Sequence, residues 1–200
     1  MALTFQYNKT ALQKLQKDLR IRENALPILA AKESALRLEV KKARQEEQRL
    51  ARELQERLAA QAAAERLWGE LPPGLARVTE VKLSRRKIAG VDIPEVGEVV
   101  FAVAPYSLVN SPAWLPAGLE ALRSLLELRL RGEVAGRRLV ALEYARKKTT
   151  QKVNLYEKVQ IPEYKTALLK IKRFMEDEDN LSKSSQKILK SKMELAEAVA

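Results

Sequence analysis

From Leu12 to Leu54 the apolar positions alternate by three and four residues. The seam reads Leu12, Leu15, Leu19, Arg22, Leu26, Leu29, Glu33, Leu36, Val40, Ala43, Glu47, Leu50 and Leu54, and ten of these thirteen are apolar. This is the 3.5-residue period of a coiled-coil seam, held for about six heptads. The intervening residues are mostly Lys, Arg, Glu, Gln and Ala, all good helix formers. Pro27 lies inside this stretch and predicts a bend, not a break, because the seam keeps its phase on both sides. The Ala59–Ala64 run carries the helix to about Trp68, roughly 90 Å at ~1.5 Å per residue.

Leu71-Pro72-Pro73-Gly74 stops that helix, and the period changes. Arg77–Leu83 alternates apolar and polar residues as a half-buried strand does, with Ser84-Arg85-Arg86 as its expected turn. Lys87–Val91 and Glu98–Val103 read as further short strands. Helix resumes near Pro116, with an apolar stripe of Leu119, Leu122, Leu126 and Leu130. A long segment follows, carrying Leu139, Leu142, Thr149, Val153, Tyr156, Tyr164, Leu168, Ile171 and Met175. Val153, Tyr156, Gln160 and Tyr164 are spaced three, four and four, an eleven-residue step that relaxes or reverses a left-handed supercoil, and Pro162 sits at this phase change.

The pattern predicts a mainly α chain in three parts. Residues 1–70 form an N-terminal coiled-coil helix, 71–116 a small β-containing knob, and 117–200 a C-terminal coiled-coil helix with a candidate break near 176–182. A long amphipathic helix cannot bury its stripe alone. Antiparallel pairing of the two helices into a hairpin rod buries both stripes, at about 1.5–3 kcal/mol per fully buried leucine. The seam residues expected are Leu12, Leu15, Leu19, Leu26, Leu29, Leu36, Val40, Leu50, Leu54, Leu142, Val153, Tyr156, Leu168 and Ile171. The polar seam residues Arg22, Glu33 and Glu47 cost stability and fix register. A homodimeric coiled coil is the alternative that periodicity leaves open.

Composition narrows the chemistry. The 200 residues contain no Cys and no His, which removes disulfides, thiolate zinc sites, His-ligated metals and Ser-His-Asp triads. No phosphate-cradling glycine loop and no ~20-residue apolar span is present. The start, Met1-Ala2-Leu3-Thr4-Phe5, lacks the layout of a signal peptide. The carboxylate pairs Glu46–Glu47 and Glu176–Asp179 are the best catalytic candidates and sit in highly charged helices. The expectation is a non-catalytic cytoplasmic protein without cofactor or metal. The formal net charge is +11, and residues 137–173 hold eleven basic residues against three acidic. Such a belt suits a solvated helix face, a phosphate-binding face or a shaft surrounded by acidic protein. No aromatic interleaving or known nucleic-acid motif supports the second of these.

The run Lys148-Thr149-Thr150-Gln151-Lys152-Val153-Asn154-Leu155-Tyr156-Glu157-Lys158-Val159-Gln160-Ile161-Pro162 resembles the C-terminal helix of the D subunits of V-type (vacuolar/archaeal-type) ATPases and ATP synthases. The match rests on Thr149 or Thr150, Val153, Asn154, Glu157, Val159, Ile161 and Pro162. Asn8-Lys9-Thr10-Ala11-Leu12-Gln13-Lys14-Leu15 is similar to the start of that family, and Phe5–Thr10 through Leu26-Pro27-Ile28 to its bacterial branch. Glu33 stands where the family has Arg, and the basic C-terminal tail is short. The resemblance implies a central rotor shaft coupling ATP hydrolysis or synthesis to H+ or Na+ movement, peripheral to the membrane and binding no nucleotide itself. Its implied partners are the A and B subunits of the ring, the F-subunit of the stalk and the adapter of the membrane rotor. Lys147, Lys148, Gln151 and Lys152 are the candidate ring-facing residues. A basic coiled-coil nucleic-acid binder or a scaffold protein is the alternative.

Overall fold

The computed structural model describes residues 4–107 and 109–199, with side chains described to Glu194. Helix α1 spans Lys9–Ala60. Asn8 caps it: the Ala11 amide donates to Asn8 Oδ1 at 2.7 Å, satisfying one of the free donors of the first turn. The helix runs unbroken through Pro27. It ends at Ala60, eight residues before Trp68. A 3-10 turn at Ala62–Ala64 and a one-turn helix α2, Glu65–Trp68, complete the stretch expected as continuous helix. Strands β1, Ala76–Ile88, and β2, Val91–Val103, form one antiparallel hairpin. Helix α3 covers Leu115–Leu155, a π-helical turn covers Tyr156–Gln160, and α4 covers Ile161–Val199. The acidic run at 176–180 does not interrupt α4, so no helix break falls near 176–182. Ser184 and Ser185 in the next turn donate back to the Asn180 and Leu181 carbonyls, a bond that leaves the helix intact.

The hairpin differs from the expected short strands. Ser84, Arg85 and Arg86 lie inside β1, paired with Glu95, Pro94 and Ile93. The turn is Ala89-Gly90, with φ of 49° and 76°. Positive φ at both central residues matches the right-handed twist of the flanking strands. Two register shifts, between Val78 and Glu80 and between Val81 and Leu83, interrupt the alternation of β1.

The chain divides into a terminal unit, residues 1–31 with 149–200, and a middle unit, residues 32–148. In the terminal unit, Leu15 packs with Tyr164, Ala167, Leu168 and Ile171, and Phe5, Ala11, Leu12, Leu19 and Met175 surround them. Tyr7 meets Phe174 at 5.0 Å between ring centroids, while Arg22 meets Gln160, so the two segments run antiparallel. The middle unit repeats the antiparallel helix pair and adds the hairpin as a further layer. Leu36, Val40 and Ala43 of α1, Leu142 of α3 and Ile93 of β2 form one buried cluster, joined by Ile88, Ala89 and Val91 of the hairpin tip. Leu75, Leu115 and Leu119 form a second cluster at the hairpin base. There Trp114 stands edge-on to Trp68 at 6.0 Å. Trp114 also lies on Gly118, where a Cβ would come within 2.6 Å of its ring.

Candidate functional site

The helical period of each segment decides which side chains reach a partner. In the terminal unit Leu15, Leu168 and Ile171 are buried, and Leu12, Leu19, Leu26, Leu29, Val153 and Tyr156 are half-buried. In the middle unit Leu36, Val40, Leu50 and Leu142 are buried and Leu54 is half-buried. The polar seam positions Arg22, Glu33 and Glu47 are half-buried too, each with its own unit. Off-seam residues point away. Ile21, Ile28, Leu38, Val140 and Tyr144 are all more than half exposed. So are Leu181, Ile188, Leu189 and Met193 of α4.

The four basic-belt candidates are all exposed. Lys147 and Lys148 belong to the middle unit, with the Lys148 ammonium 5.6 Å from the Tyr144 ring centroid. Gln151 and Lys152 belong to the terminal unit. Among the described residues, no carboxylate lies within ion-pair distance of Lys147, Lys148 or Lys152. The nearby Arg137 is by contrast paired with Glu133 one turn away at 2.7 Å. The uncompensated lysines therefore present charge outward, the geometry for attracting an acidic surface at low cost in desolvation.

The middle unit also holds a charged crevice that the helical pattern gave no sign of. Glu46, Arg49 and Leu50 of α1, Pro94, Glu95 and Val96 of β2, and Arg131, Val134 and Arg138 of α3 line about 230 Å³. Arg49 grips Glu46 with two bonds of 3.2 and 2.7 Å. That bond, aided by the charges of Arg49 and Arg138 and opposed by burial, holds the Glu46 carboxyl below its usual range. The Nε of Arg138 is buried without a partner. On the hairpin, Lys82 bonds Glu98 at 2.8 Å and likewise lowers its pKa. The carboxylates Glu46 and Glu47 thus serve an ion pair and a seam. No helix among the described residues is long and apolar enough to cross a membrane.

The family model for the D subunits of ATP synthases matches residues 11–191, nearly the whole chain. The chain belongs to this ATP synthase D-subunit family. Relatives within it are named as the D subunits of V-type ATP synthases. The protein of Borreliella burgdorferi is 26% identical over 194 residues, covering 92% of this chain and 93% of its own. That of Chlamydia caviae is 26% identical over 184 residues, 86% and 85% of the two chains. That of Chlamydia pneumoniae is 39% identical over 111 residues, 56% of this chain, and over this match the chain spans about half the length of that relative (53%). Long N- and C-terminal helices around a small two-stranded sheet suit a coiled-coil stalk. The family is the one that residues 148–162 resemble.

Proposed function

We propose that this chain is the central-stalk rotor component of a V-type ATPase or ATP synthase, carrying torque between an A/B catalytic ring and the ion-translocating membrane rotor. The family match over residues 11–191 carries the reading. Its partners in that role are the A and B subunits, the F-subunit of the stalk and the membrane-rotor adapter, and it takes no catalytic part itself. The physical logic is one of symmetry. A single chain without three-fold symmetry meets three equivalent catalytic interfaces with three different surfaces. It couples to them by binding their conformations unequally, since only differential affinity shifts a conformational equilibrium. Lys147, Lys148, Gln151 and Lys152 face the ring in this reading. Exposed charge attracts over about 8 Å at physiological salt without locking one geometry, which suits a surface that must pass each interface in turn.

Affinity isolation of the tagged chain from its host tests the assignment. The expected result is co-isolation of A and B subunits with ATPase activity; isolation without them overturns it. Replacing Lys147, Lys148 and Lys152 with Glu tests the finer placement. Ring association weakens about tenfold or more, and more steeply at low salt. Unchanged assembly and coupling remove these lysines from the interface while leaving the rotor assignment standing.

A further inference from the structure

Within the terminal unit the C-terminal segment turns Thr149, Val153, Tyr156, Gln160, Tyr164, Leu168, Ile171 and Met175 inward, all buried or half-buried. Strict alternation of four and three after Gln160 would centre the inward face on Glu163, Ala167, Lys170 and Phe174; Ala167 is buried and Glu163 half-buried, but Lys170 and Phe174 are exposed. The segment therefore holds one residue more than the pattern allows. The π-turn Tyr156–Gln160 takes it up, because a turn closed by i→i+5 bonds holds one residue more than an α-turn. Moving the insert toward the N-terminus would bring Glu157 and Asn154 to the seam. Moving it toward the C-terminus would bring Glu163 and Lys170. Either shift puts a charge against apolar neighbours, so the insert has one favoured place.

Arg22 engages the seam residue that ends the π-turn, Gln160, and the next one, Tyr164. Its Nε donates to Gln160 Oε1 at 2.9 Å, and its guanidinium stands 4.4 Å from the centroid of the Tyr164 ring. A second hydrogen bond, from a terminal nitrogen to the Asp18 carbonyl at 2.9 Å, fixes the arginine on its own helix. Apolar packing is thin here. No residue of the π-turn is buried, and none of α1 from Gln16 to Ala31 is either. Packing resumes at Ile161, directly after the π-turn, and one turn further on Tyr164, Ala167, Leu168 and Ile171 are all buried. Thin packing marks the places where native proteins open locally.

We infer that the π-turn is a one-residue register insert, that Arg22 is the catch holding it in place, and that within the paired part of the terminal unit, up to Met175, this stretch opens first. The rotor assignment is not needed for this, and the test uses the full chain alone. Hydrogen exchange is read peptide by peptide in the parent, in Arg22→Met, and in variants lacking Lys158 or Lys170. In the parent, amides of 153–162 exchange at least about tenfold faster than those of 164–171. Arg22→Met keeps the aliphatic stem, removes the fork, and speeds 156–160 about tenfold further without changing 164–171. Deleting Lys158 turns the wide turn into an α-turn, restores an unbroken seam, slows exchange over 153–162 and leaves Tm within about 3 °C. Deleting Lys170 from regular helix throws Ile171 and Met175 off the seam and lowers Tm by about 10 °C or more. Equal losses from the two deletions, uniform exchange in the parent, or an Arg22→Met variant with unchanged exchange at 156–160 would each overturn the inference.

Discussion

The two units use the same antiparallel helix pair and bury it differently. In the middle unit the hairpin supplies Ile93, with Ile88, Ala89 and Val91, to one side of the pair, and Leu36, Val40, Ala43 and Leu142 are sealed. In the terminal unit only two helices are available over much of the length. Its buried apolar cluster gathers at Leu15 and Tyr164–Ile171, and the stretch beyond relies on Ile161, Thr149, the Arg22–Gln160 bond and half-buried leucines. Two helices alone leave the flanks of many seam residues in water, and Ile171 is sealed where Phe5, from the segment before α1, packs on its cluster; in the middle unit the hairpin supplies that cover. Polar seam residues occur in both units, Arg22 and Gln160 in the terminal one and Glu33 and Glu47 in the middle one, but all four are only half-buried and none lies in a closed cluster. A cluster closed on all sides demands apolar residues.

This comparison has measurable edges. The largest effect is expected at Leu142, which is fully buried beneath the hairpin. Leu142→Ala costs about 3–5 kcal/mol in denaturant unfolding, through lost transfer energy and a cavity. Leu19→Ala, at a half-buried seam position of the terminal unit, costs about 1–2 kcal/mol. Equal losses at the two sites would erase the distinction. Next, Ile93→Ala removes the hairpin's wedge and costs about 2–4 kcal/mol. Proteolysis then cuts the hairpin sooner, while exchange protection at Leu168 and Ile171 stays as it was.

A smaller effect belongs to the turn that delivers the wedge. Gly90 has a φ of 76°, and an added Cβ would meet only the Lys32 ammonium at 3.4 Å. Gly90→Ala therefore costs about 1–2 kcal/mol from backbone strain alone. The smallest concerns Glu46. Its folded pKa lies below the usual 4.5, so its contribution is present above about pH 4.5 and is lost as the pH falls through the lowered value. The Glu46 and Arg49 side chains are 42% and 64% exposed, so screening keeps the effect small. Glu46→Gln is expected to lower Tm by about 1 °C or less at pH 7 and by progressively less as the pH falls below 4.5. A larger gap at pH 3 than at pH 7 would reverse the sign of the argument.

Much of the helical architecture was legible because burial follows a simple period. All thirteen seam positions from Leu12 to Leu54 are buried or half-buried, including the polar three. The hairpin was harder. Ser84-Arg85-Arg86 has the composition of a turn, yet the strand continues through it because both its faces are exposed there. The true turn places Ala89 at positive φ, a position where Gly or Asn is the usual signal, so only Gly90 marked it. The phase change after Gln160 was visible in spacing. Spacing alone cannot separate an altered supercoil from an extra residue in a wide turn, since both shift the seam alike. The Arg138 crevice had no sequence signature, because its residues come from three elements joined only by tertiary packing. The basic belt was visible, and the structure adds that Lys147, Lys148 and Lys152 are exposed while Arg137 is paired.

The central claim is that the chain turns. With the A/B ring immobilised and a bead attached to an exposed residue of the hairpin, such as Arg85, ATP is expected to drive stepwise rotation in one direction, three dwells per revolution. A bead that stays fixed while the same complexes hydrolyse ATP would contradict the rotor assignment.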